Sequence, residues 1–473
     1  MRTPMRAVCL ALLALALPSP GRATQAPASG SFLKAHQGFW LGARTNPNGT
    51  STQVGLEIYT RADGSLWARV GQPEFGNHEI PVKSVVETKE GIEVALFPPI
   101  TLKLTWVGDH FEGAWQSPGR ELPLNLKPVP AFPEKARPQA PQAPFPYREE
   151  TLAIPSTEGV TLGATLTLPQ GVARPVVVVL VHGSGPHNRD ESADGHRPFA
   201  VLADHLARKG VAVLRYDKRG VSRSTGNYDQ HTREQLISDI HAVLQALKAR
   251  KQFKAMGLLG HSEGPGLAAA VAARHPESVD FLVSLAGVGL PGLDMMLVQD
   301  RSEAVANGAT PEEADVLVAY SKKHYDLVVA TADPKARVAA VAALIQASPR
   351  ERALLAKLEM GSPGGTLSLE SAGEPSLRDL LVADPTTDWR KVRCPVLALN
   401  GSLDVQVPPR SLEGLARALK AGGNAKVETA VIPGLNHGFQ TAKTGRVEEY
   451  GELTETLAPV ALEHIAAFIR KQR

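Results

Sequence analysis

At 473 residues the chain is long for one domain and comfortable for two, and 43% apolar against 21% charged residues excludes a disordered or fibrous chain. The formal charge of +3 gives no argument for a nucleic-acid or membrane partner, because Arg2, Arg6 and Arg22 supply all of it from a segment without acids. Two cysteines, Cys9 and Cys394, are too few for a disulfide scaffold.

The first element has the layout of a leader. Arg2 and Arg6 precede the apolar run Ala7 to Leu17, Pro18 to Gly21 break it, and Gly21-Arg22-Ala23 resembles a small-residue cleavage site. This predicts a secretory signal peptide over residues 1–23 and an exported protein, periplasmic or secreted. The run is too short to span a bilayer, so no membrane anchor is expected. Cys9 belongs to the leader, which leaves Cys394 as a core thiol beside a strand.

Residues 31–129 read as a small all-β sandwich or barrel. The stretch QVGLEIYTRADGSLWARV alternates on both sides of Asp63-Gly64, and TLKLTWVGDHFEGAW repeats the pattern around Gly108-Asp109. Trp40, Trp67, Trp106 and Trp115 fall here and are expected to form an aromatic core. Residues 130–147 are a proline-rich linker, extended and semi-rigid.

Residues 148–473 alternate strand and helix. PVVVVLVHG suits a strand buried on both faces. Further strands are VAVLRYD, AMGLLG, FLVSLAG, CPVLALNG and VETAVIPG. Helices are expected at 198–209, 232–250 (with Thr232 as N-cap), 263–274, 411–420 and 453–471. The pattern predicts a doubly wound parallel sheet. Between about 289 and 389 the strands give way to amphipathic helices, which read as a helical cap over the strand ends.

The chemistry centres on GHSEG, Gly260 to Gly264, which follows an apolar strand and opens a helix. A serine at the apex of such a turn, flanked by small residues, holds its hydroxyl outward as a nucleophile. Serine needs a base, and the base an orienting acid. VLALNGSLD delivers Asp404, and AVIPGLNH delivers His437, at the ends of the next strands in the order Ser, Asp, His. The oxyanion donors are expected to be the backbone N–H groups of Glu263 and of Ser184, with Gly183 or Gly185 next in line. His182 and His261 read as structural, Arg189 and Asp190 as a pair shaping their loop, and residues 215–226 as a pocket wall. No metal-ligand or nucleotide-binding pattern occurs, so neither metal nor cofactor is expected.

Taken together, HGSGP followed by Arg189-Asp190, DKRGVS, GHSEG, GSLD and NHGF resemble the α/β-hydrolase superfamily over residues 148–473. More narrowly they resemble exported bacterial carboxylesterases of the EstD type, which carry an N-terminal β-domain. The resemblance implies a triad of Ser262, His437 and Asp404 and a small-molecule ester substrate with a short acyl chain. Pro265 stands where relatives usually have glycine, in a helical first turn that tolerates it. Two other functions fit: a serine peptidase or amidase on the same fold, and a non-catalytic secreted protein whose β-domain binds glycan or cell-wall material. The sequence does not fix the oligomeric state.

Overall fold

The computed structural model describes residues 31–472, apart from 47–48, 81, 97–99, 134, 359 and 361–368. The leader expected over 1–23 lies outside the described residues.

The N-terminal part is one antiparallel sheet of nine strands: β1 Gly38–Thr45, β2 Ser51–Thr60, β3 Leu66–Gln72, β4 Asn77–Ile80, β5 Ser84–Glu87, β6 Gly91–Ala95, β7 Thr101–Val107, β8 His110–Ser117 and β9 Arg120–Val129, in the order β4-β3-β2-β1-β9-β8-β7-β6-β5. Its concave side gathers Val54, Leu56 and Ile58 of β2, Ile92 and Val94 of β6, and Leu102 and Leu104 of β7 into one apolar cluster, closed by Leu33 of the short helix α1, Ser31–Ala35. A flat sheet cannot bring strands so far apart in its order onto one core, so the sheet curls. Trp40 is buried there, edge-on to Trp106 and Phe111. Trp67 lies elsewhere, under the Arg61 guanidinium at 3.7 Å.

The second sheet has eight strands: β10 Tyr147–Pro155, β11 Thr161–Pro169, β12 Val176–Val181, β13 Ala212–Tyr216, β14 Ala255–His261, β15 Phe281–Leu285, β16 Val396–Gly401 and β17 Val427–Ile432. The order is β10-β11-β13-β12-β14-β15-β16-β17. From β13 to β17 neighbouring strands are parallel, but β10 pairs antiparallel with β11, and β11 with β13. The sheet is therefore mixed where the sequence suggested a parallel one. Residues 156–160 are too few for the crossover that a parallel β10–β11 pair needs.

β12 shows why its run is apolar without alternation. Val177, Val179 and Val181 enter the core under α3 (Arg233–Ala249) and α4 (Gly264–Arg274). Val176, Val178 and Leu180 enter the opposite core, under α2 (Pro198–Arg208) and the C-terminal helix Pro459–Arg470. Thr232 caps α3 in a full capping box with Gln235.

The insertion between β15 and β16 is helical: α5 Gly292–Ala306, α6 Pro311–Ala330, α7 Pro334–Ala347, α8 Pro349–Lys357, α9 Leu369–Gly373, α10 Pro375–Val382 and α11 Pro385–Trp389. It builds its own small cores, one around Tyr325, Val328 and Val341, the other around Leu317, Tyr320 and Leu355. Trp389 anchors its end, fully buried and donating to the Val288 carbonyl at 3.3 Å. After it come α12, Arg410–Ala421, and α13, Pro459–Arg470. Among the described residues no helix is long and apolar enough to cross a membrane.

Candidate functional site

Ser262 sits between the end of β14 and the start of α4 with φ of +59°, a left-handed conformation that a serine adopts only under constraint. The flanking glycines supply that constraint. A Cβ on Gly260 would fall 2.3 Å from Pro265 N, and one on Gly264 would fall 2.2 Å from the Val181 carbonyl oxygen. Strand, turn and helix thus close on each other at a distance only glycine permits. The Ser262 N–H donates to the Leu285 carbonyl at 2.9 Å, tying the turn to β15. Pro265 lies within the first turn of α4, where its missing N–H is not needed.

Asp404 and His437 arrive from the loops after β16 and β17, and both are buried. His437 Nδ1 donates to Asp404 Oδ2 at 2.9 Å. Asp404 Oδ1 accepts from the N–H groups of Gln406 at 3.0 Å and Val407 at 2.8 Å, and Asn400 Nδ2 donates to Oδ2 at 3.2 Å. The carboxylate is therefore fixed from four directions. His437 and Ser262 line one cavity of 280 Å³, together with Ser184, His187, His196, Gln406, Tyr450 and Thr456. Among the described residues Ser262 Oγ makes no hydrogen bond to His437, whose ring is bonded through Nδ1 to Asp404.

The loop after β12 faces the serine from the other side. A Cβ on Gly183 would lie 3.0 Å from Ser262 Cβ. The Gly183 N–H is already committed, donating to Glu191 Oε1 at 2.6 Å, which removes Gly183 as an oxyanion donor. Neither Ser184 nor Glu263 spends its N–H on a backbone carbonyl among the described residues. Ser184 lines the cavity with Ser262, and Glu263 is next to the serine in the chain.

Sequence reasoning missed what braces this loop. Lys218, fully enclosed, donates its ammonium to the carbonyls of Gly183 at 2.5 Å and Gly185 at 3.0 Å, with Glu263 Oε2 at 3.8 Å. Burial drives its pKa down, and Glu263 and Glu191 oppose this. Glu191 lies 3.2 Å from His261 Nδ1, while His261 Nε2 donates to the His437 carbonyl at 3.1 Å. Burial works against charge on both partners, yet the pair holds Glu191 down at about 2 and His261 above its ordinary value. With an acceptor at each ring nitrogen, His261 is a strut between Glu191 and the His437 carbonyl and has no nitrogen left to serve as base.

Three expectations need correcting. Arg189 and Asp190 do not pair with each other: Arg189 forks onto Asp217, at 2.6 Å for the shorter contact, while Asp190 takes Arg197 at 2.5 Å and also Arg215. Residues 215–226 do not line the serine cavity but stand behind the loop after β12. The cap helices supply none of the cavity lining among the described residues; its outer wall comes from residues 193–198 and 447–456.

His182 packs between Phe199 and Tyr216, and burial pushes its ring down to about 3. The folded chain keeps this ring neutral, whereas the unfolded chain charges it below about 6.5. Its contribution to stability is therefore complete above about 6.5 and is lost as pH falls from there toward 3. The melting temperature should fall less between neutral and mildly acidic buffer in His182→Gln than in the wild type; equal slopes would contradict the assignment.

Cys394 is a free thiol, half-buried at the edge of a core, and burial pushes it up to about 12, far from reactive.

A mixed sheet wound on both faces, a serine on a strained strand-to-helix turn and an Asp–His pair delivered by two later strand ends are together the arrangement of an α/β-hydrolase. A family model described as "Serine aminopeptidase, S33" matches residues 174–355, and that of the "Prolyl oligopeptidase family" matches 370–458. The chain is also similar to Esterase EstD of Thermotoga maritima, 25% identical over 294 residues. That match covers 62% of this chain and only 60% of the length of the relative. Among solved structures, Est1E from Butyrivibrio proteoclasticus, bound to ferulic acid, aligns at 16% identity with a TM-score of 0.42 over 68% of this chain and 98% of that one. The Pyrococcus furiosus esterase Pf2001 aligns at 15% identity with a TM-score of 0.42 over 69% and 91%.

Proposed function

We propose that the chain is a serine carboxylesterase that hydrolyses short-chain acyl esters through Ser262, His437 and Asp404. The observation that carries this reading is the Asp404–His437 hydrogen bond in the cavity that Ser262 also lines. His437 Nε2 takes the proton of Ser262 Oγ as the oxygen attacks the ester carbonyl. Negative charge gathers on the carbonyl oxygen, where the N–H groups of Glu263 and Ser184 receive it. The tetrahedral intermediate collapses, and the alcohol leaves with the proton held by His437. Water, deprotonated by His437, then attacks the acyl-serine; the acid departs and Ser262 regains its proton. Asp404 keeps His437 in the tautomer whose Nε2 is free to accept. The similarity to EstD supports ester chemistry, and a cavity of 280 Å³ supports a small acyl group.

A second reading, cleavage of amides or peptides, is favoured by one feature. Asp194 lines the cavity without an ion-pair partner among the described residues, and an amino group would find a counter-charge there. Both matching family descriptions also name peptidases. A panel of p-nitrophenyl esters from acetate to dodecanoate, run beside aminoacyl p-nitroanilides, separates the two. The esterase reading predicts turnover of the short esters, falling by at least about tenfold toward dodecanoate, with kcat/KM for butyrate above that for every anilide. Anilides cleaved faster than any ester would transfer the proposal to the peptidase.

A further inference from the structure

The outer wall of the serine cavity is built by two loops distant in sequence. One, residues 193–198, leads into α2; the other, 447–456, precedes α13. What joins them is a residue of the interdomain segment. Arg137 Nε donates to the Gly195 carbonyl at 3.1 Å, and Nη2 donates to those of Asp194 at 2.9 Å and Gly451 at 3.0 Å. Nη1 donates to the Leu453 carbonyl. Arg137 is only 7% exposed and has no carboxylate within 4.0 Å among the described residues, so four main-chain oxygens meet its charge. A guanidinium held this way costs desolvation that a salt bridge would offset better; what it gains is geometry, since its planar fork fixes two backbones at once.

The neighbouring residues continue the contact. Gln139 Oε1 accepts from the N–H groups of Thr456 at 2.6 Å and Leu457 at 3.0 Å, and its amide donates to the Leu457 carbonyl at 2.7 Å. The β-domain presses on the same wall from outside: Gly76, at φ of +69°, meets Gly195 so closely that a Cβ would lie 2.3 Å from Gly195 Cα. Inside, His196 spans the two loops, its Nε2 donating to the Tyr450 carbonyl at 3.0 Å and its Nδ1 accepting from Thr456 Oγ1 at 2.9 Å.

We propose that Arg137 is a positioning residue for acyl selectivity: by clasping residues 194–195 to 451–453 it sets the width of the serine cavity and makes the interdomain segment part of the specificity apparatus. Ser262, His437 and Asp404 lie on other loops, so the chemistry itself does not pass through the clasp. The inference rests on the esterase reading.

The test uses the full chain with p-nitrophenyl butyrate and octanoate. Arg137→Ala should raise KM for butyrate by about tenfold with kcat little changed, and should shrink the butyrate-to-octanoate ratio of kcat/KM by a similar factor. Arg137→Lys, which reaches fewer of the carbonyls, should fall between. Gly76→Ala, which pushes the same wall from the β-domain, must also move the ratio, and it decides the matter should Arg137→Ala fail to fold. A ratio that stays constant in folded variants, while both esters fall in parallel with thermal stability, would overturn the proposal and leave Arg137 a structural residue. A wild-type chain inactive on both esters would instead be the failure of the esterase reading.

Discussion

Ser262→Ala should lower hydrolysis of p-nitrophenyl butyrate by about 10⁵-fold while leaving the melting temperature near that of the wild type. The substitution deletes Oγ alone. The Cβ that packs beside Gly183 remains, as does the N–H donated to Leu285, and the left-handed backbone at φ of +59° is no harder for alanine than for serine. The N–H groups of Ser184 and Glu263 and the Asp404–His437 pair stay in place, so substrate binding should persist and the loss should appear in kcat. His261 offers no substitute base, since Glu191 and the His437 carbonyl already face its two ring nitrogens. Substantial residual turnover in a folded, pure variant would mean that another group attacks the ester.

Asp404→Asn should reduce kcat by about 10⁴-fold with KM nearly unchanged. The reason lies in the four groups that face the carboxylate. Oδ1 accepts from two backbone N–H groups, Gln406 at 3.0 Å and Val407 at 2.8 Å, so an amide at this position keeps its oxygen there. Its NH₂ then replaces Oδ2, 2.9 Å from His437 Nδ1. Two donors cannot face each other, so the imidazole proton moves to Nε2. The ring presents a donor to Ser262 and can no longer take its proton. Thermal stability should fall only modestly, because the backbone contacts survive. Wild-type kcat in the Asp404→Asn variant would show that Asp404 does not orient the base.

How much of this was legible in the chain depends on the range of the interaction. The β-branched run of β12 announces a doubly covered strand because both its faces meet helices, and the glycines of GHSEG announce a close approach because two backbones pass where a Cβ would sit. Asp404 and His437 could be placed at the cavity's edge because parallel strands put their C-terminal loops on one rim. Other features leave no periodic or local trace. The antiparallel β10–β11 pair follows from the brevity of the connection at 156–160, which the alternating pattern alone did not reveal. Placing the cap over the serine was reasonable for an insertion at that rim, yet helices α5–α11 pack on cores of their own and leave the wall to residues 193–198 and 447–456. Lys218 and Arg137 act across long sequence separations on main-chain atoms, which carry no residue signature. Glu191 did have one visible cue, an acid eight residues beyond Gly183 in a loop already marked as the oxyanion loop.

The proposed chemistry requires Ser262 to be the group that attacks substrate. The direct test is covalent labelling of the full chain with diethyl p-nitrophenyl phosphate, followed by peptide mass mapping. The enzyme should release p-nitrophenolate and lose activity in step with the gain of one diethylphosphoryl group on Ser262, within the peptide carrying Gly260 to Gly264; Asp404→Asn should label far more slowly. Inactivation with the label on any other residue, or with residue 262 unmodified, would contradict it.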